Sequence, residues 1–248
     1  MPTASSFFPP PNSPPPPLPL ADAELACFGI ELNGNAEDWW EAALPWVIAS
    51  EQARARCFRQ RMDAVRHVVG RALVRSLLSR ELGVAALSAE FLANPWGKPE
   101  LPGCGIEFSI SHSGNAVWVA LCRGIAVGID VESQDAVADP HGMADVFHPA
   151  ERAALLELPA ADVQSAFLRC WTRKEAVIKA LGEGLSRPLG SFCVRTDACA
   201  GDWLTKMPEG GVAGWTVVDL PVAAGYHASV AAMAPGLAMT VRLICNPL

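Results

Sequence analysis

Residues 126–132 read Ala-Val-Gly-Ile-Asp-Val-Glu, with Val127, Ile129 and Val131 alternating against Gly128, Asp130 and Glu132. This is the period-two pattern of a strand with one buried face. Alternation puts Asp130 and Glu132 on the same face, roughly 6.5–7 Å apart along the strand. Two carboxylates side by side repel unless a proton or a cation lies between them. A hard divalent ion such as Mg²⁺, held by one or two carboxylates together with substrate phosphates, suits that arrangement. Gly128 leaves the face open just before the pair, as happens where a ligand comes close to the backbone. Taken alone, a G-x-D-x-E strand is equally a polar face in water, so the rest of the chain has to decide.

Three further stretches carry chemistry. Residues 171–179 read Trp-Thr-Arg-Lys-Glu-Ala-Val-Ile-Lys inside a helix expected over 165–181 and stopped by Gly182. Trp171, Glu175 and Lys179 then share one face. An exposed Glu–Lys pair is the plain reading, but a Trp heads the stripe and Ala176, Val177 and Ile178 flank it, which puts it at the edge of a core. Residues 94–99, Asn-Pro-Trp-Gly-Lys-Pro, form a rigid turn presenting Lys98. Residues 106–110 alternate as a strand and run into Ser111-His112-Ser113-Gly114-Asn115, read as a polar turn before an apolar strand over 117–122. A histidine there is commonly a surface cap; a Ser-His pair beside a glycine can also hold a phosphate through hydroxyl, imidazole and backbone N–H.

The elements that must position these residues follow from periodicity. Short helices are expected over 36–48 and 51–58. Asp63 is placed to cap a long helix with an apolar stripe at Val65, Val68, Val69, Ala72, Leu73 and Leu77, stopped by Gly83. Arg54 and Arg66 bracket the start of that helix and can both reach a phosphate near it, whereas Arg71 and Arg75 read as plain surface charges. A helix start is expected at 147–151 with Pro149 in its first turn, and strands at 215–218, 226–233 and 237–245. The longest uncharged run, 220–241, is broken by Pro221, Gly225, Pro235 and Gly236, so it reads as two strands with an Ala-Pro-Gly turn and not as a membrane span.

The chain has 248 residues, 51% of them apolar and 18% charged, enough for one large core or two packed lobes. A formal charge of −7 argues against a nucleic-acid partner. Residues 51–81 hold eight arginines against three acids, a local +5 that leaves −12 elsewhere and points to an anionic partner met at one place. The eight cysteines show no C-x-x-C pair and no zinc-like spacing, and read as reduced thiols in a cytoplasmic protein with no signal peptide. Residues 1–20 include nine prolines and are expected to be a disordered, dispensable leader. Residues 21–125 and 126–248 then divide into two similar α/β (α+β) lobes, each a small sheet on a long helix, with a cleft between them.

Gly128-Ile-Asp-Val-Glu132, followed about forty residues later by Trp171-x-x-Lys174-Glu175-Ala-x-x-Lys179, resembles the 4′-phosphopantetheinyl transferase superfamily, and the longer pattern resembles its monomeric Sfp-type branch. Residues 94–99, 108–114 and 63–80 match that branch in order and spacing, so the resemblance covers roughly 54–241. It implies a pseudo-twofold monomer with its active site between the lobes. It also implies transfer of the phosphopantetheine arm of coenzyme A to a serine of an acyl, peptidyl or aryl carrier protein, releasing 3′,5′-ADP. Asp130, Glu132 and Glu175 would hold Mg²⁺; Glu175 would take the proton from the carrier serine, and Lys179 would neutralise or protonate the leaving phosphate. Lys98, Ser111 and His112, helped by Arg54 and Arg66, would grip the 3′-phosphate and nucleotide. The first lobe would supply the nucleotide contacts and the second the metal-binding carboxylates. Glu51 departs from the family pattern, which has a basic residue there. A cleaved pyrophosphate builds charge on phosphate oxygens, so positioning and charge neutralisation are what such a site must supply. Two other readings stand beside this one: an inert module binding coenzyme A or carrier proteins, and a Mg²⁺-dependent pyrophosphohydrolase using water as nucleophile.

Overall fold

The computed structural model describes residues 8, 20–198, 203–207 and 211–243. Its strands are β1 (Glu24–Glu31), β2 (Leu92–Ala93), β3 (Pro99–Glu100), β4 (Ile106–Ser113), β5 (Ala116–Arg123), β6 (Val127–Ser133), β7 (Cys193–Val194), β8 (Leu204–Lys206), β9 (Thr216–Asp219), β10 (Tyr226–Ala232) and β11 (Ala238–Leu243). Its helices are α1 (Ala36–Ala43), α2 (Ala49–Ala55), α3 (Arg61–Leu82), α4 (Pro140–Met143), α5 (Pro149–Leu156) and α6 (Ala160–Leu181).

Two sheets dominate, in the orders β11-β1-β5-β4 and β6-β10-β9. The expected stripe of α3 is fully buried and packs on Phe28, Ile30, Phe108, Val117 and Val119 of the first sheet. The opposite face of that sheet, through Leu25, Cys27, Trp118 and Ala120, meets Val127, Ile129 and Val131 of β6 and Ala228 and Val230 of β10. Ala176, Val177 and Ala180 of α6 cover the far side of the second sheet. The result is two α+β lobes, each a sheet against a 22-residue helix. Both helices end at a glycine of positive φ, Gly83 at 80° and Gly182 at 71°, where a side chain would strain the backbone.

Several expectations need correction. The 21–125/126–248 division fails at its end: β11 pairs in parallel with β1, so the Ala-Pro-Gly turn after β10 carries the chain from one sheet to the other instead of closing a hairpin. β11 covers an edge of β1 that would otherwise expose unpaired N–H and C=O groups. Ser111 and His112 lie in strand β4, and the turn shrinks to Gly114-Asn115 because Ser113 pairs with Ala116. Asp63 is not the cap of α3; Gln60 is, and Asp63 binds Arg66 from inside the first turn. α6 begins at Ala160, five residues ahead of the expected start. Residues 1–7 and 9–19 of the proline-rich leader lie outside the described residues, but Phe8 is 5% exposed with its ring 6.2 Å from that of Trp46, so the leader is tied down at that residue. Cys27, Cys57, Cys104, Cys122, Cys170 and Cys193 are free thiols, as expected; Cys199 and Cys245 lie outside the described residues. Among the described residues no helix is long and apolar enough to cross a membrane.

Candidate active site

The cleft runs along β4, the edge strand of the first sheet, where it meets β6, the edge strand of the second. Asp130 and Glu132 do share a face of β6, the one turned to α6. Gly128 precedes them for a reason other than a ligand. A Cβ there would lie 2.0 Å from Ala176 O and 2.3 Å from Ala180 N, so the close approach is made by the backbone of α6. That contact seats the helix deep enough for Glu175 and Lys179 to reach the carboxylates.

Asp130, Glu132, Glu175 and Lys179 line one cavity of about 350 Å³ with Ile110, Ser111, His112 and Trp171. Lys179 Nζ donates to Asp130 Oδ1 (2.6 Å) and to Ser111 Oγ (3.0 Å). Ser111 Oγ donates to Asp130 Oδ1 (2.8 Å), and Ser113 Oγ to Glu132 Oε2 (2.7 Å). Asp130 Oδ2 and Glu175 Oε1 are buried with no hydrogen-bond partner. Burial, and then the charge of Asp130, push both Glu132 and Glu175 above the ordinary carboxylate range, against the opposing pull of Lys179. Among the described residues no three Asp, Glu, His or Cys side chains are drawn together tightly enough to form a ready metal cage. The acids share a cavity without closing around a point.

The back of α6 explains why its front is held so rigidly. Lys174 is fully buried and donates to Glu151 Oε1 (2.8 Å), Leu189 O (2.7 Å) and Phe192 O (2.8 Å), so each of its three N–H groups has an acceptor. With Lys174 fixed behind, Glu175 must face the cleft.

A second cavity of about 260 Å³ adjoins the first, sharing Ile110, Glu175 and Lys179, and is walled by Trp96, Gly97, Lys98 and Pro99. The 94–99 turn is set by Asn94, whose Oδ1 accepts from the N–H groups of Trp96 and Lys98 while its Nδ2 donates to Gly182 O at the end of α6. Lys98 Nζ donates to Val127 O (3.0 Å), and burial lowers its pKa. Trp96 stands 54% exposed at the rim.

On the other side of β4 lie the bases of α3. Arg66 donates to Gly114 O (2.6 Å) and pairs with Asp63, yet its Nε is buried without a partner. His112 is held below the ordinary imidazole value by burial and by Arg66 and Lys179. His67, not singled out from the sequence, is pushed down to about 4 by burial and by Arg71, Arg54 and His112 around it, and its Nε2 is also unpartnered. Its spacing gave no signal, because four residues from Asp63 it looks like any half-buried position of an amphipathic helix.

Two expectations about charge fail. Arg75 is no surface residue: it is fully buried, its guanidinium bonded to both oxygens of Glu51 (2.8 and 3.1 Å) and to three backbone carbonyls. Glu51 is therefore an internal counter-ion, with Arg71 also 3.8 Å away. The eight-arginine cluster does not all face outward; Arg54, Arg56, Arg59 and Arg61 are exposed, and Arg61 is engaged by Glu37.

The two-lobed α+β fold agrees with what comparison with known proteins finds. Residues 126–231 match the 4′-phosphopantetheinyl transferase superfamily, and residues 34–123 match the family described as 4′-phosphopantetheinyl transferase, N-terminal. The chain is 33% identical over 154 residues to the 4′-phosphopantetheinyl transferase ffp of Bacillus subtilis, covering 61% of this chain and 67% of that protein. It is 32% identical over 158 residues to 4′-phosphopantetheinyl transferase Sfp of Bacillus subtilis (strain 168), covering 62% and 69%, and 35% identical over 144 residues to 4′-phosphopantetheinyl transferase HetI of a Nostoc species, covering 56% and 61%. The chain belongs to the 4′-phosphopantetheinyl transferase superfamily and is an enzyme of its Sfp type.

Proposed function

We propose that this enzyme transfers the 4′-phosphopantetheine arm of coenzyme A to a serine hydroxyl of an apo acyl or peptidyl carrier protein, releasing 3′,5′-ADP in a Mg²⁺-dependent reaction. The observation that carries the reading is the shared cavity of Asp130, Glu132, Glu175 and Lys179, with Asp130 Oδ2 and Glu175 Oε1 buried and unpartnered. Lys179 engages only Asp130 Oδ1, and burying the remaining unpartnered carboxylate oxygens in one cavity is costly unless a cation comes to them. The donor set is all oxygen, which suits Mg²⁺. Asp130, Glu132 and Glu175 would hold the ion, which when bound neutralises charge on the pyrophosphate oxygens.

The chain's own side chains account for the remaining steps. Glu175, its proton affinity raised by burial and by Asp130, takes the proton of the carrier serine as the serine oxygen bonds to the pantetheine-bearing phosphorus. The bond from that phosphorus to the bridging oxygen breaks, and the bridging oxygen leaves with 3′,5′-ADP. Lys179, one turn on from Glu175, neutralises or protonates the leaving phosphate. Lys98 meets the nucleotide from the second cavity, while His112, Arg54 and Arg66 meet the 3′-phosphate from the α3 side. Ser111 is a weaker candidate for direct phosphate contact, since its hydroxyl is already committed to Asp130, to Lys179 and to a backbone N–H of β6. The exposed Arg54, Arg56 and Arg59 offer an acidic carrier a place to dock. The first lobe thus supplies the nucleotide contacts and the second the carboxylates and the base.

Intact-protein mass spectrometry tests this reading. Apo acyl and apo peptidyl carriers are each incubated with coenzyme A and the enzyme, with and without Mg²⁺. A gain of one phosphopantetheine mass on the carrier serine only with Mg²⁺ is the expected result. Coenzyme A cleavage without carrier modification would overturn it in favour of hydrolysis.

A further inference from the structure

β4 and β6 are the facing edges of two different sheets, and side chains join them where a backbone ladder does not. Ser109, Ser111 and Ser113 stand at alternate positions of β4 and so point to one side. Their hydroxyl oxygens accept from three alternate N–H groups of β6: Ile129 N to Ser109 Oγ (3.2 Å), Val131 N to Ser111 Oγ (3.2 Å) and Ser133 N to Ser113 Oγ (3.1 Å). Hydroxyls occupy the place that backbone carbonyls fill in an ordinary sheet.

A hydroxyl also has a proton to donate, which a carbonyl lacks. At the lower two rungs that proton goes to a carboxylate of β6: Ser111 to Asp130 Oδ1 and Ser113 to Glu132 Oε2. Each serine thus grips an acid and the N–H of the residue after it. The first rung lacks this second grip, because the corresponding β6 position is Gly128. The ladder therefore contains its own control: Ser109 ties strands, whereas Ser111 and Ser113 tie strands and aim acids. Asp130 has a second restraint in Lys179; among the described residues Glu132 has no second side-chain partner.

We propose that Ser113 is a positioning residue that fixes the Glu132 carboxylate by holding Oε2 and leaving Oε1 to face the cleft for a divalent cation. The inference rests on the metal-dependent transferase reading and adds to it a residue whose only route to the chemistry is through Glu132.

The test is Mn²⁺ binding by the full-length enzyme with coenzyme A and no carrier, followed by electron paramagnetic resonance of free Mn²⁺, on wild type, Ser113→Ala, Ser113→Thr and Ser109→Ala. Loss of a hydrogen bond to a charged group predicts about tenfold weaker Mn²⁺ binding for Ser113→Ala. Ser113→Thr keeps the hydroxyl and should recover it. Ser109→Ala should lower the melting temperature without changing Mn²⁺ affinity. Wild-type affinity in Ser113→Ala would overturn the inference alone, as would equal weakening in Ser109→Ala, which would make the ladder purely structural. Failure of the wild type itself to bind Mn²⁺ would overturn the metal reading and this inference with it.

Discussion

α3 and α6 have the same length, lie on neighbouring sheets and stop at the same kind of glycine, and each buries a cation completely. Within each helix, what separates one charge from another is how polar valence is filled. Arg75 of α3 has two oxygens of Glu51 and three carbonyls, and Lys174 of α6 has Glu151 and two carbonyls. Every side-chain nitrogen of both is hydrogen-bonded. One position after Lys174, Glu175 lines a cavity with one oxygen buried and unmatched. A buried charge whose hydrogen-bonding capacity is met holds the fold; one left short in a cavity is open to a ligand. α3 repeats the contrast on a smaller scale, with every guanidinium nitrogen of Arg75 engaged and Arg66 and His67 short of a partner at the cleft end; Arg80 Nε, in the last turn, is also short of one.

The largest expected effect would set the two kinds of charge directly against each other. Glu175→Gln should lower kcat by about 10²–10⁴-fold with little change in melting temperature, as expected for loss of a general base. Arg75→Ala should do the reverse. It leaves Glu51 buried without its main counter-ion, at a cost of about 3–5 kcal/mol in urea unfolding, while the activity of the molecules that remain folded is retained. If Glu175→Gln unfolded the protein, or Arg75→Ala abolished turnover in folded enzyme, the distinction would collapse.

Gly128→Ala comes next. The new methyl would meet backbone atoms of α6 and not flexible side-chain ends, so α6 must lift off β6. A loss of about 1–3 kcal/mol is expected from overpacking, together with a fall in kcat as Glu175 and Lys179 shift. Unchanged stability would mean that the helix seats itself by other contacts.

The smallest effects are those of pH. Glu132 and Glu175 sit above their ordinary 4.5, so between that value and their raised values the folded chain holds more protons than the unfolded one. They therefore reduce stability as pH rises through that window, and Gln at either position should flatten the decline. His67 acts in the opposite sense. Held at about 4 against an ordinary 6.5, it withdraws stability as pH falls from 6.5 towards 4, and His67→Asn should remove that part of the acid loss. Denaturant titrations across pH 4–7 would check both signs.

Much of this was legible in the sequence because the signals are local. The buried stripe of α3, both glycine stops, Pro149 in the first turn of α5, the alternation of β6 and the common face of Trp171, Glu175 and Lys179 depend on spacing within a few residues, and all appear as expected. What failed depended on partners far along the chain. Arg75 and Glu51 are 24 residues apart, and nothing in either neighbourhood says that one neutralises the other inside the core. Gly128 is required by a helix that starts 32 positions later, and the expected ligand contact there was the wrong partner for a correctly identified close approach.

By itself, then, the sequence determined which residues carry charge, which faces are apolar and where each long helix ends, because these follow from side-chain chemistry and periods of 2 and 3.6 residues. Only the tertiary structure decided that β11 returns to β1, that three serines join two sheets, and which buried charges are satisfied. Those outcomes depend on long-range pairing and on desolvation, which exist only once distant segments have excluded water from between them.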